Sequence, residues 1–163
     1  MTGPGGYDPD AEHVGDGLYG RLLAAGSRSD LLDPRLTRLL DRPAKAMVDL
    51  AARRAGAMGR LRTGTDDLMW AACHTERAVA ILRHCGLDTA EVLRDLASVG
   101  ATPARVAGRR SLTRGLCRVV MVADYLAHQS GAARAGVAHL TTALLVEGCT
   151  RAYRMIADRD GAV

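Results

Sequence analysis

Phenylalanine is absent from this chain of 163 residues, and aromatic residues of all kinds make up only 3% of it. A core without large rings must be filled by Ala, Leu, Val and Met, which favours closely packed helices. Runs rich in Val, Ile or Thr with strict alternation are also missing, so a β reading finds no support and the expectation is an all-α protein. Lysine is nearly absent: Lys45 is the only one, and the net charge of +4 with a pI near 9.2 is carried by arginine. That balance permits acidic partners without demanding them. The four cysteines, Cys73, Cys85, Cys117 and Cys149, show no paired spacing and sit in or beside apolar helical pattern, which predicts reduced thiols. The opening "MTGPGGYDPD" has acid and glycine where a signal peptide needs a basic start and an apolar run. No later stretch is apolar for long enough to span a bilayer, so the sequence predicts a cytoplasmic protein with no membrane partner.

Catalytic signatures are missing as well. A phosphate-binding loop needs G-x-x-x-x-G-K-[ST], and Lys45 lies instead in the helical pattern "RPAKAM". There is no H-E-x-x-H and no G-x-S-x-G, and His74-Thr75-Glu76 is not followed by the P-C-x-x-C of a zinc deaminase. Cys73, His74, His84 and Cys85 are four soft ligands without the short pairs that gather a metal, and the helical pattern sets the two pairs at opposite ends of one helix. The sequence therefore predicts no catalytic residues, no metal, no cofactor and no enzyme. Arg110, Arg114 and Arg118 recur every four residues on the side opposite an apolar stripe. They read as a solvated face; a nucleic-acid-binding stripe is the minor alternative, since aromatics and a stronger charge are missing.

What is present is a repeat. "TGTDDLMWAA" (Thr63–Ala72) and "AGVAHLTTALLVEG" (Ala135–Gly148) share a glycine, a cap-like pair and a helix opening on leucine, and Gly64 and Gly136 are 72 residues apart. The same offset carries Ala44, Met47, Val48, Ala51 and Ala55, which lie at helical spacing, onto Leu116, Val119, Val120, Ala123 and Ala127. Every position stays apolar, so one buried face occurs twice without a gap. "AVAILRHCGLD" answers "AYRMIADRDGA" with a shift of two residues in the turn around Cys73 and His74. The first copy adds a fourth helix, capped by Asp88 with Glu91 completing a box and ended by Gly100. Each copy alone exposes a large apolar face, which predicts a pseudo-twofold bundle. The boundaries that follow are an extension over 1–39 and a double-repeat domain over 40–163, with repeat one at 40–100, a Gly/Pro linker at 101–110 and repeat two at 111–163.

The helix "AxxMVxLAxxxA", the G-T-D-D-L turn and helix, "AVAILRHCGLD" and the second round ending "AGVAHLTTALLVEG" resemble the Clp repeat, the duplicated amino-terminal domain of ClpA- and ClpC-type AAA+ unfoldases. The resemblance implies two short-helix repeats packed as one bundle, here without the ATPase ring. It also implies a non-catalytic binding module of the Clp proteolysis system, whose partners are Clp protease components, adaptors or substrate proteins. The alternative it implies is a protective binder that sequesters cyclic peptide antibiotics aimed at the unfoldase. The family opens each second helix with Gly-Thr-Glu-His, where threonine caps and the acid meets a guanidinium. Here the first copy reads Gly64, Thr65, Asp66, Asp67 and the second Gly136, Val137, Ala138, His139, so only the first keeps cap and carboxylate. The family's aromatic at the start of each repeat is Leu40 in one copy and Leu112 in the other. The implied ligand-binding residues are therefore Thr65 and Asp66, with Leu40, Met47, Val48, Leu112, Val119 and Val120 along the inter-repeat groove.

The segment before Leu40 lies outside that resemblance. Leu18, Leu22 and Leu23 stand at helical spacing, and "DPRLTRLL" offers Asp33 as cap and Pro34 at the first helical position before Leu36, Leu39 and Leu40. Short helices are marginal alone, so this segment is expected to pack on the repeats and cover part of the groove.

Overall fold

The structure, a computed structural model, describes residues 34–97, 111–147 and 151–160. The expected helix around Leu18–Leu23, Asp33 as a cap, the end at Gly100, the linker 101–110 and Arg110 all lie outside the described residues. Within them, the chain forms α1 (Pro34–Thr37), α2 (Arg42–Ala57), β1 (Arg62–Thr63), α3 (Thr65–Cys73), α4 (Glu76–His84), α5 (Thr89–Ala97), β2 (Ser111–Leu112), α6 (Arg114–Gln129), α7 (Val137–Val146) and α8 (Arg151–Asp160). The fold class is all-α, and α2 and α6, 16 residues each, stand at the offset read from the sequence.

The two long helices are begun and ended by matching devices. Asp41 Oδ1 accepts the Ala44 N–H at 2.8 Å to cap α2, and Thr113 Oγ1 accepts the Leu116 N–H at 3.2 Å to cap α6. Caps of this kind contribute about 1 kcal/mol each. At the other ends Gly59 and Gly131 take φ of 71° and 76°, the left-handed conformation that glycine adopts without steric cost. The next residue then closes each helix, with Arg60 N–H on Ala55 O and Ala132 N–H on Ala127 O, both at 2.8 Å. Asp88 begins α5 as expected, its Oδ1 accepting the Ala90 N–H at 2.9 Å.

The stripe of α2 packs on α3, and that of α6 on α7. All ten stripe positions are buried. Helix α4 lies against α7, α5 against α3, and α8 against α7 and α3, so the core is continuous across both copies. Leu36, in α1, and Leu39, just after it, pack on the edge of the core.

Two short parallel pairings, which the sequence did not announce, lock the copies together. Thr63 faces Leu112, and Leu40 faces Ala135. Thr113 N–H donates to Thr63 O at 2.9 Å, while Asp41 N–H donates to Ala135 O at 2.9 Å. Moving Thr63 forward by 72 and Thr113 back by 72 gives Ala135 and Asp41, the two residues of the other bond: each copy's turn binds the helix start of its partner copy. Segments of two residues carry no period, and pairing across so many positions leaves no local trace, which is why the strands were not legible.

Candidate functional site

The seam between Thr63 and Leu112 leads directly into α3, where the sequence placed Thr65 and Asp66. Gly64 itself occupies the cap position with extended backbone, φ −110°, so Thr65 is the first helical residue and not the cap. The capping oxygen comes from Asp67, whose Oδ2 accepts the Gly64 N–H at 2.9 Å. An acid at the third helical position reaches back to the amide ahead of the helix, which a threonine at the first position cannot do. Thr65 and Asp66 remain half-buried at the surface.

Asp67, which stands where the family pattern has histidine, is the centre of this corner. It is fully buried, and it lies 3.0 Å from Arg54 Nη1, which is only 3% exposed, and 3.2 Å from Arg60 Nη2. Arg54 also donates to the Asp66 and Leu96 carbonyls, both at 3.4 Å, and its guanidinium stands 5.6 Å from the Trp70 ring. One arginine thus ties α2 to the start of α3 and the end of α5. Burial pushes the Asp67 carboxyl up, against the Gly64 amide and both arginines, and pushes the Arg54 guanidinium down against Asp67. Both ions pay for desolvation, and their attraction offsets part of it. Asp49, on α2, is likewise raised by burial against the fields of Arg53 and Lys45. The signal that could have identified Asp67 is its place three residues after a cap glycine.

The second copy solves the same local problem without charge burial. His139 Nδ1 accepts the Gly136 N–H at 3.0 Å, and Nε2 lies 3.0 Å from Ser130 Oγ, which donates to Ala127 O at 2.9 Å. That set of bonds is satisfied by a neutral imidazole with its proton on Nε2. The arginine positions of the first copy, Arg54 and Arg60, are Leu126 and Ala132 in the second.

The groove residues are distributed differently from the expectation. Leu40, Met47, Val48, Val119 and Val120 are between 0% and 2% exposed. Met47, Val48, Val119 and Val120 lie on helical stripes packed against the next helix, and Leu40 lies in the seam opposite Ala135, so all five are part of the core in this structure. Leu112 is half-buried, and of the expected set it stays at the surface with Thr65 and Asp66. An open apolar depression of about 390 Å³ lies elsewhere, between α4, α7 and α8, with Ile81, Cys85, Leu145, Val146, Tyr153 and Ile156 among its lining. A smaller polar one, of about 320 Å³, holds Asp95, Arg154 and Asp158.

The remaining candidates take ordinary structural places. His74 Nδ1 lies 2.9 Å from Trp70 O, Cys73 is buried and Cys85 exposed. Burial pushes the Cys73 thiol up to about 12, which keeps it protonated and unreactive at neutral pH. Among the described residues no three potential metal ligands come together, and no helix is long and apolar enough to cross a membrane. Arg118 pairs with Glu147 at 3.0 Å, and Arg114 is exposed. The arrangement offers recognition surfaces and a braced fold.

Comparison with known proteins agrees with this architecture. A solved chain described under "Preliminary structural investigations of a malarial protein secretion system" superposes with a TM-score of 0.62 at 11% identity, covering 77% of this chain and 86% of that one, a likeness of fold. No curated protein matches the sequence. The family described as the Clp repeat (R) N-terminal domain matches residues 39–158, a span that takes in both copies and both seams. The chain belongs to the Clp repeat N-terminal domain family.

Proposed function

We propose that this chain acts as a non-catalytic recognition module of a Clp proteolysis system, binding an adaptor or substrate protein and so presenting it to, or withholding it from, an unfoldase ring. The observation that carries this reading is the family match across both repeats, together with the reciprocal seams that make the pair one body. In this reading Thr65, Asp66 and Leu112 are the surface members of the site, and the buried leucine and valine positions serve it only by holding the two copies in register.

The test uses the full chain with a purified ClpC-type unfoldase, its protease and an adaptor-delivered substrate. The module should co-purify with the adaptor or the substrate, and adding it should change the degradation rate. Asp66→Ala should reduce both effects. Absence of co-purification together with an unchanged rate would exclude the reading. A thermal shift produced by cyclic peptides alone would move the assignment to sequestration of a small ligand.

A further inference from the structure

Ten residues are identical between the copies over Leu40–Thr75 and its image 72 positions on, and eight of them have a reason in the fold. Val48, Ala51, Ala55, Leu68 and Ala71 are buried, as are their images. Leu40 and Leu112 form the seams, and the glycine pairs 59/131 and 64/136 end one helix and open the next. The two that remain are Arg42 with Arg114 and Arg62 with Arg134. All four side chains are exposed, and no hydrogen bond or ion pair holds them among the described residues.

The fold does not ask for these cations. Arg42 and Arg114 are the first residues of α2 and α6, where the positive end of the helix dipole disfavours a cation, and neither first turn holds an acid. The same geometry favours an anion from outside. At each seam the arginines come as a pair: Arg62 faces Ser111 in register and Arg114 lies three residues further on, while Arg134 adjoins Ala135, which faces Leu40, two residues before Arg42. Paired strands lie only about 4.8 Å apart, so both members of a pair are within reach of one bound segment.

We infer that the two seams are docking points for acidic, glutamate- or aspartate-rich segments of a partner protein, with Arg62 and Arg114 holding one and Arg42 and Arg134 the other. Leu61, 70% exposed beside Arg62, suits a segment with apolar side chains among its acids. The near absence of aromatics removes the stacking that single-stranded nucleic acids use. Of the acids nearby, Asp41 caps α2, and Asp67 is held by Arg54 and Arg60. This inference deepens the protein-binding reading above and rests on it, but its test needs no Clp component.

The probe is a fluorescein-labelled, glutamate-rich peptide carrying two leucines, followed by anisotropy with the full chain. At low salt it should bind, and binding should weaken steeply between about 50 and about 500 mM salt as the charges are screened. The variants Arg62→Glu with Arg114→Glu, and Arg42→Glu with Arg134→Glu, should each halve the number of peptides bound per chain, and the four changes together should weaken binding by about tenfold, whereas Arg77→Glu with Arg94→Glu, the same change of net charge as one seam pair but placed on α4 and α5, should leave two peptides bound per chain. Melting temperatures of both seam variants should hold or rise, since a cation leaves a helix start. An equal loss of bound peptide with the control pair, equal binding of the glutamine counterpart, or no binding at low salt would each overturn the inference. So would a lower melting temperature in the seam variants, or seam-dependent binding of oligo-dT in place of the peptide. None of these results touches the degradation assay, which reads whole partners.

Discussion

The glycines at the starts of α3 and α7 occupy equivalent places but differ in their tolerance of a methyl group. A Cβ at Gly136 would sit 2.9 Å from Asp41 Oδ2, the carboxylate whose other oxygen caps α2. At Gly64 the nearest atom is Thr113 Cγ2 at 3.7 Å, an ordinary contact. Gly136→Ala should therefore cost about 1–2 kcal/mol, by overpacking or by turning Asp41 out of its cap, and Gly64→Ala should stay within about 0.5 kcal/mol of the parent. Urea denaturation of both variants checks this, and equal costs would contradict the seam contact. The sequence revealed both glycines through the offset but not this difference, because Asp41 is remote in sequence from the turn it touches. Thr65 was misplaced for a related reason. A side-chain oxygen beside a glycine looks like a cap, yet the acid at the third position had the reach.

Among the elements, α3 and α7 begin with the same backbone geometry and different chemistry. Asp67→Ala removes the acceptor for Gly64 N–H and leaves Arg54 buried without its carboxylate, which should cost about 3 kcal/mol. His139→Ala loses neutral bonds at a half-buried position, and should cost about 1 kcal/mol. Hydrogen exchange gives the second reading: α5, held through Leu96 O by Arg54, should lose protection in the first variant and keep it in the second. Equal costs would mean that the charge network does not brace the helices. The helices themselves were legible, because a stripe repeated 72 residues on is evidence of both period and duplication. The network was not, since nothing local links Arg54 to a carboxylate 13 residues away. Nor could the groove residues be separated from the core, since an apolar stripe has the same pattern whether it faces a helix or a ligand.

At the scale of the whole molecule, the reciprocal bonds leave neither copy able to open alone, because releasing one turn frees the other copy's helix start. Thermal unfolding should be a single transition with calorimetric and van't Hoff enthalpies equal, and two resolved transitions would contradict it. Cys73 reports the same event, reacting with thiol reagents only on global opening while Cys85 reacts at once. The pH dependence has a definite sign. The folded Cys73 thiol titrates at about 12, above its ordinary 9.0, so its contribution is fully present below pH 9 and is lost as pH rises from there towards 12.

The exchange of bonds between Thr63 and Thr113 and between Ala135 and Asp41 has a further consequence. Each half carries the donor and the acceptor of one self-complementary surface, the property of an isologous contact about a twofold axis. A single repeat with this surface would satisfy itself by pairing with an identical chain, and every substitution in it would then appear on both sides of the axis. Joined in one polypeptide, the halves are released from that constraint. One can bury Asp67 with two arginines while the other places His139 there, and the axis survives in the backbone after the side chains have diverged.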